Sequence, residues 1–267
     1  MSFTAHNIRL ADGSETLPEA GWLIADSPWT QAALRSLRLF YGGRLTGRTI
    51  VDLGCLEGGY TVEFARAGMR ATGVEVRRSN YENCLRVRER TGAEGLDFVN
   101  DDVWNLPAHG TFDAAFCCGL LYHLDKPAAF IELMSRFVRD VIILHTHFAT
   151  DQDETMFNLS PMTENEGLPG RWLHEHDLDD TAKLEEHKWT SWSNKRSFWP
   201  TKPALIQALK GCGFDMIYEQ YDMLGNDIRT SMESGYYHQQ GRTMLVAMRT
   251  PAAQPATDEL DRENGLR

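Results

Sequence analysis

From residue 49 onward, short apolar runs alternate with longer amphipathic or polar stretches. The runs at 49–53, 71–76, 96–99, 112–118 and 141–144 are rich in Val, Ile, Ala, Phe and Cys, the pattern of strands buried on both faces. The stretches between them predict helices, most clearly at 127–138, where Phe130, Met134 and Phe137 fall on one face. A further helix at 202–212 and strands at 214–221 and 243–248 complete the pattern. Alternation at this pitch predicts βαβ units. The expected fold class is therefore α/β: a Rossmann-like, seven-stranded, mostly parallel sheet with helices on both faces.

Ahead of this core, Ser27-Pro28 reads as an N-cap and first helical residue. Trp29, Ala33, Leu37 and Phe40 then recur at helical spacing up to Gly42-Gly43. The chain thus divides into an N-terminal cap segment and helix (1–45), a main domain (46–250) and a tail (251–267) without apolar periodicity, expected to be disordered. Within the main domain, 148–200 is polar, shows little sustained period and carries Trp172, Trp189, Trp192 and Trp199. Flat aromatic faces suit a lid or an acceptor-binding wall, against the plainer reading that they pack the insertion onto the sheet. Asn194, Lys195 and Arg196 add polar contacts there, and Tyr236, Tyr237 and His238 are placed to close the pocket from the other side.

Composition narrows the possibilities. At 267 residues the chain suits one substantial domain with elaborations. No basic leader precedes an apolar stretch, and no run reaches the ~18 apolar residues of a membrane span, so a cytoplasmic protein is expected. The five cysteines, at 55, 84, 117, 118 and 212, lack CxxC spacing and read as small reduced core residues. A formal net charge of −11 opposes binding to a phosphate backbone, which favours a small acceptor over a nucleic acid. Apolar points before the first helix (Phe3, Ile8, Leu10, Trp22, Leu23, Ile24) can cover a ligand pocket or a neighbouring subunit, so an oligomer is possible.

The sharpest motif is Ile50-Val51-Asp52-Leu53-Gly54-Cys55-Leu56-Glu57-Gly58-Gly59, an apolar strand running into a glycine-bearing turn and then a helix at 60–67. A turn of this kind, at the carboxyl edge of the first strand, is where open α/β sheets bind nucleotide-like ligands. It is no phosphate-cradling P-loop, since GK[ST] is missing, and Leu56 replaces the second glycine of a dinucleotide fingerprint.

These residues resemble motif I of class I S-adenosylmethionine-dependent methyltransferases, an acidic residue followed by GxGxG. The resemblance implies that Asp52, Gly54, Cys55 and Gly58 surround the donor, and it continues at three later positions. Glu75, ending ATGVEV, resembles the carboxylate that accepts both ribose hydroxyls; Asp102 in NDDVWNLP resembles the one near the adenine amino group, with Val103 beside the ring. FDAAFCCGLLYHL resembles the fourth strand, bringing Cys118 and Gly119 to the active-site edge. The implied cofactor is S-adenosyl-L-methionine, with S-adenosyl-L-homocysteine as product. The plainer readings are a solvent-facing strand-end charge for Glu75 and a helix N-cap for Asp102. At Leu56, either the turn avoids positive φ or the cofactor sits differently. In the second half, GLLYHLDKP and NKRSFWPTKPALIQALKGCGF resemble the tRNA wobble-uridine carboxymethyltransferase-like subgroup, which uses a carboxylated form of the same donor; its substrate is not carried over.

In such a fold the acceptor approaches above strands four and five, so His123, His145 and His147 are the candidate bases. Structural roles for each compete evenly with catalytic ones. A metal is the weaker reading: His145, His147, His174 and His176, with Glu175 and Asp177, have suitable donor atoms but need not meet. The function expected is methyl transfer to the O or N of a sugar, hydroxylated metabolite or natural product. The alternatives are a tRNA-modifying methyl- or carboxymethyltransferase and a non-catalytic Rossmann nucleotide-binding module.

Overall fold

The structure is a computed structural model that describes residues 2–151, 157–221, 228–233 and 241–250. The expected tail (251–267) and Tyr236, Tyr237 and His238 lie outside the described residues.

Helix α1 (Pro28–Phe40) begins where Pro28 presets the first turn and the Ser27 hydroxyl accepts from Thr30 N–H. Strand β1 (Thr49–Leu53) leads into α2 (Gly59–Arg66), β2 (Arg70–Glu75), α3 (Arg78–Thr91) and β3 (Leu96–Asn100). The chain then returns to the other side of β1 as β4 (Phe112–Cys118), α4 (Pro127–Phe137) and β5 (Val138–His147). After the insertion come α6 (Lys202–Gly211), β9 (Met216–Glu219), α7 (Ile228–Glu233) and β10 (Arg242–Met248), numbered after the insertion's own β6, β7, α5 and β8.

The seven-stranded sheet has the order β3-β2-β1-β4-β5-β10-β9. Strands β1 to β5 pair in parallel, and β10 runs antiparallel to both β5 and β9. This is the Rossmann-like architecture expected from the alternation. Reversal of winding between β1 and β4 opens a crevice at their carboxyl ends, because the connections leave in opposite directions there. Ile50, Val51, Leu53, Ala114 to Cys117 and Val141 to Leu144 are buried on both sheet faces, which is why those strands read as unbroken apolar runs. Ile8 and Ile24 of the N-terminal segment enter the same core, while Trp22 stays 45% exposed.

The insertion departs from the aperiodic stretch expected. It forms a three-stranded antiparallel sheet of β6 (Thr163–Asn165), β7 (Leu168–His174) and β8 (Arg196–Pro200), with α5 (Thr181–Glu186) between the last two. Short strands and an internal Pro169-Gly170 hid the period; a side chain on Gly170 would lie 2.2 Å from the Trp199 carbonyl across the ladder. Two acids of the insertion cap helices of the main domain. Glu166 accepts from Ala128 and Ala129 N–H at the start of α4, and Glu185 accepts from Arg78 and Ser79 N–H at the start of α3. Negative charge at a helix N-terminus is favourable, and these two contacts hold the insertion above the carboxyl edge of the sheet.

Candidate active site

A cleft runs along that edge. Gly54 and Leu56 follow β1, Glu75, Val76 and Arg77 end β2, Asp102 and Val103 follow β3, and Cys118, Gly119, Tyr122 and His123 follow β4. His145 and Arg242 line it from β5 and β10, Trp29 from α1, and residues 188–194 of the insertion from above.

Glu75 joins β2 to the motif turn. Its Oε2 accepts from Leu56 N–H (2.9 Å), and its Oε1 accepts from Arg77 N–H (2.8 Å) and Asn80 Nδ2 (3.4 Å). Burial raises its pKa, opposed by these donors and by the Arg77 charge. Oε1 is filled by its two donors, and Oε2 keeps a further lone pair at the cleft wall. This is not the solvent-facing charge of the plainer reading. Leu56 has φ 55, so the turn keeps its left-handed residue even though leucine stands where glycine is usual, and Leu56 lines the cleft. Asp102 does both things weighed for it: Oδ1 accepts from Trp104 N–H (3.0 Å) at the start of a short 3-10 helix (Val103–His109), and the residue borders the cleft beside Val103.

Three expected donor contacts lie elsewhere. Asp52 is buried behind the turn, where Oδ2 accepts from Thr61 Oγ1 (2.6 Å); burial pushes its pKa up to about 7. The Cys55 side chain points inward, 3.9 Å from Cys84 Sγ. Gly58, at φ 79, starts α2, and a Cβ there would lie 2.6 Å from Phe98. All three shape the turn from within and are absent from the cleft wall. The sequence motif does not distinguish the turn's inner side from the side that faces the cleft.

Among the histidines, His123 stands at the cleft with Nδ1 2.9 Å from Glu175 Oε1. Burial works against ionisation of Glu175, yet the hydrogen bond and charge of His123, with Ser191 N–H on the other oxygen, hold its carboxyl below the usual range. His145 also lines the cleft, deeply buried, with Nδ1 3.3 Å from Cys118 Sγ. Burial holds its pKa well below the ordinary imidazole value. His147 does not reach the cleft: its ring stacks on Trp199 at 4.5 Å and meets Tyr122 and Phe157 edge-on. Nor do the four metal candidates assemble. His174 pairs with Asp177 on the surface (3.4 Å), His176 bonds to Ser191, and no group of three potential ligands occurs among the described residues.

The tryptophans divide. Trp189 and Trp192 form the cleft's outer wall, whereas Trp199 is buried and donates to the Tyr122 carbonyl, and Trp172 packs on Phe198. Of the polar trio, Asn194 lines the cleft and donates to the His123 carbonyl; Lys195 pairs with Asp179, and Arg196 lies over Trp172.

Several cleft residues carried no recognised signal. Arg77 holds the wall in place, donating to the carbonyls of Leu184, His187, Thr190 and Ser191. Buried Glu57 accepts from the backbone N–H groups of Thr4, Ala5 and His6, and His6 Nδ1 in turn accepts from Gly59 N–H. This strap brings the N-terminal segment to the cleft, as its apolar points allowed. Tyr60, Lys188 and Arg242 complete the lining.

Residues 50–140 match the family described as "Methyltransferase domain". The ubiquinone biosynthesis O-methyltransferase of Xanthomonas oryzae pv. oryzae (strain PXO99A) is 29% identical over 127 residues, 44% of this chain and 52% of that protein. The chain thus spans about half the length of this curated relative. The N-terminal domain of EvdMO1, solved in the presence of SAH and D-fucose, superposes with a TM-score of 0.60 at 26% identity, covering 82% of this chain and 83% of that one. The Burkholderia thailandensis 1,6-didemethyltoxoflavin-N1-methyltransferase, solved with that acceptor and S-adenosylhomocysteine, shares the fold at TM-score 0.50 and 16% identity, covering 84% and 81%. The comparisons lend no support to the wobble-uridine subgroup. Its two stretches form the turn after β4 and the β8–α6 connection, structural parts of the same domain.

Proposed function

We propose that this chain, which carries a methyltransferase domain at residues 50–140 on a Rossmann-like methyltransferase fold, is an S-adenosylmethionine-dependent methyltransferase acting on an O or N atom of a small molecule. One observation carries the reading: a single cleft is lined by Glu75, Asp102 and Val103 from the ends of β2 and β3, Gly54 and Gly119 from the ends of the central β1 and β4, and His123 from the turn after β4.

The residues present fit the donor. Glu75 offers the free lone pair of Oε2 to a ribose hydroxyl, with Oε1 beside it, Val103 offers an apolar face to a purine ring, and Asp102 offers an acceptor next to that ring. When bound, S-adenosylmethionine supplies an electrophilic methyl group on a sulfonium and leaves as S-adenosylhomocysteine. The protein's contribution is alignment and proton removal. Glu175 holds the His123 ring through Nδ1, which leaves Nε2 to take the acceptor's proton. Trp189 and Trp192 shield the cleft from water. His145, kept neutral by burial, is the poorer base and orients the acceptor.

Small acceptors are favoured by the enclosed aromatic cleft, the acidic chain and the acceptors named for the proteins above. Among the described residues, no helix is long and apolar enough to cross a membrane, and we place the reaction in the cytoplasm. The test is incubation with methyl-labelled donor and pooled hydroxylated and amino metabolites. Label in a low-molecular-weight product, lost in Glu75→Ala, is expected; label in a tRNA fraction, or none above background, contradicts the reading.

A further inference from the structure

The end of the cleft formed by β5 and β10 holds a cation without a counter-charge. Arg242 opens β10 beside His147, lines the cleft and donates from Nη2 to the Tyr122 hydroxyl (2.7 Å). Among the described residues that hydrogen bond goes to a phenol and not to a carboxylate, and the Arg242 Nε is buried without a hydrogen-bond partner. The cleft's other cations are engaged: Arg77 by four backbone carbonyls, and Lys188 by Glu57 (3.8 Å) and Thr4.

A second observation is independent of the first. His145, on the neighbouring strand, is 2% exposed and lines the same end of the cleft, and its Nε2 is buried with no partner. Cys118 Sγ lies 3.3 Å from His145 Nδ1, and burial, which pushes the Cys118 pKa up to about 12, keeps it a thiol; in the tautomer where its S–H donates to Nδ1, the ring proton resides on Nε2. The Tyr122 oxygen accepts from Arg242, which leaves its own proton to donate. Arg242 Nε–H and Tyr122 O–H are donors, His145 Nε2–H joins them in that tautomer, and among the described residues neither His145 Nε2 nor Arg242 Nε has an acceptor. Buried donors left unpaired are costly, and three at one place are satisfied together by an anionic oxygen group.

We infer that the methyl acceptor carries a carboxylate that docks on Arg242, Tyr122 and His145. This rests on the proposed methyltransferase reading. A carboxylate could also come from the methionyl end of the donor, but the motif turn expected to hold that end follows β1, and β4 separates it from His145 on β5 and Arg242 on β10. The site is assigned to the acceptor.

The test uses 3-hydroxybenzoate and its neutral analogue 3-hydroxybenzamide as probes. Their binding to the full chain is read by ligand-observed NMR with saturating S-adenosylhomocysteine. The expected result is a preference of about tenfold or more for the benzoate, lost in Arg242→Gln while S-adenosylhomocysteine affinity stays within about threefold. Tyr122→Phe, which keeps the ring, should weaken the benzoate several-fold and guards against misfolding of the arginine variant. Equal binding of both probes by the wild type, or no binding of either, overturns the inference. So does an Arg242→Gln protein that keeps the preference but loses about tenfold in S-adenosylhomocysteine affinity, which assigns the arginine to the donor. If the wild type fails to bind S-adenosylhomocysteine, the methyltransferase reading falls separately, and the benzoate preference of the ligand-free protein still decides the anion site.

Discussion

His123, on the cleft wall, meets Glu175 at 2.9 Å, one from the turn after β4 and the other from the insertion just after β7. The insertion therefore supplies both the outer wall and the group that orients the proposed base. Removing the base, His123→Ala, is expected to lower kcat by about 10²- to 10⁴-fold. Glu175→Gln should lower kcat less and leave KM nearly unchanged, because Glu175 acts through His123. Steady-state kinetics on both variants checks this; equal kcat in wild type and His123→Ala removes the assigned role.

Leu56 and Gly58 both sit at positive φ, but their surroundings differ. Leucine's strain there is offset on replacement by the greater unfolded-state freedom of glycine, so Leu56→Gly is expected to change stability by no more than about 1 kcal/mol. Gly58→Ala drives a methyl group to 2.6 Å from the Phe98 ring and should cost about 2 kcal/mol or more. Denaturant unfolding of the two variants separates these outcomes.

Asp52 gives a pH signature. Burial, partly opposed by the Thr61 hydrogen bond, lifts its folded pKa to about 7 from 3.8. The folded state thus holds a proton that the unfolded chain has released, and this group's contribution to stability is complete below about pH 4 and is lost as pH rises to about 7. Asp52→Asn abolishes that loss. Relative to wild type, the variant should gain stability between pH 4 and 7, by at most about 4 kcal/mol. Parallel stability–pH curves contradict the assignment.

Arg77 makes a separate prediction about the wall. Its four bonds to carbonyls at residues 184–191 hold that segment over the cleft. Losing them in Arg77→Met should cost on the order of 2 kcal/mol of local stability, equivalent to roughly thirtyfold more opening. Tryptic cleavage after Lys188 is the readout, and unchanged cleavage refutes the latch.

Much of the frame was legible because buried parallel strands are continuous apolar runs: β1 and β4 fall where the runs predict them, and the ends of the others move by a few residues. The part of the cleft proposed for the donor was legible through Gly54, Glu75 and Asp102, which all line it from strand ends. What escaped depended on long-range pairing. Arg77, Arg242 and the Glu57 strap are ordinary charges in sequence, and their roles come from carbonyls, a phenol and backbone N–H groups tens of residues away. The insertion escaped because three short strands leave little period, and one of them is interrupted by Pro169-Gly170.

The most direct measurement is calorimetric titration of S-adenosylhomocysteine into the wild-type protein and Glu75→Gln. One site per chain is predicted for the wild type. A loss of about 100-fold is predicted for the variant, from roughly 3 kcal/mol of charge-assisted hydrogen bonding, with the ligand-free thermal transition retained. Absence of binding by the wild type, or equal affinity in both proteins, contradicts the assignment of this cleft to the methyl donor.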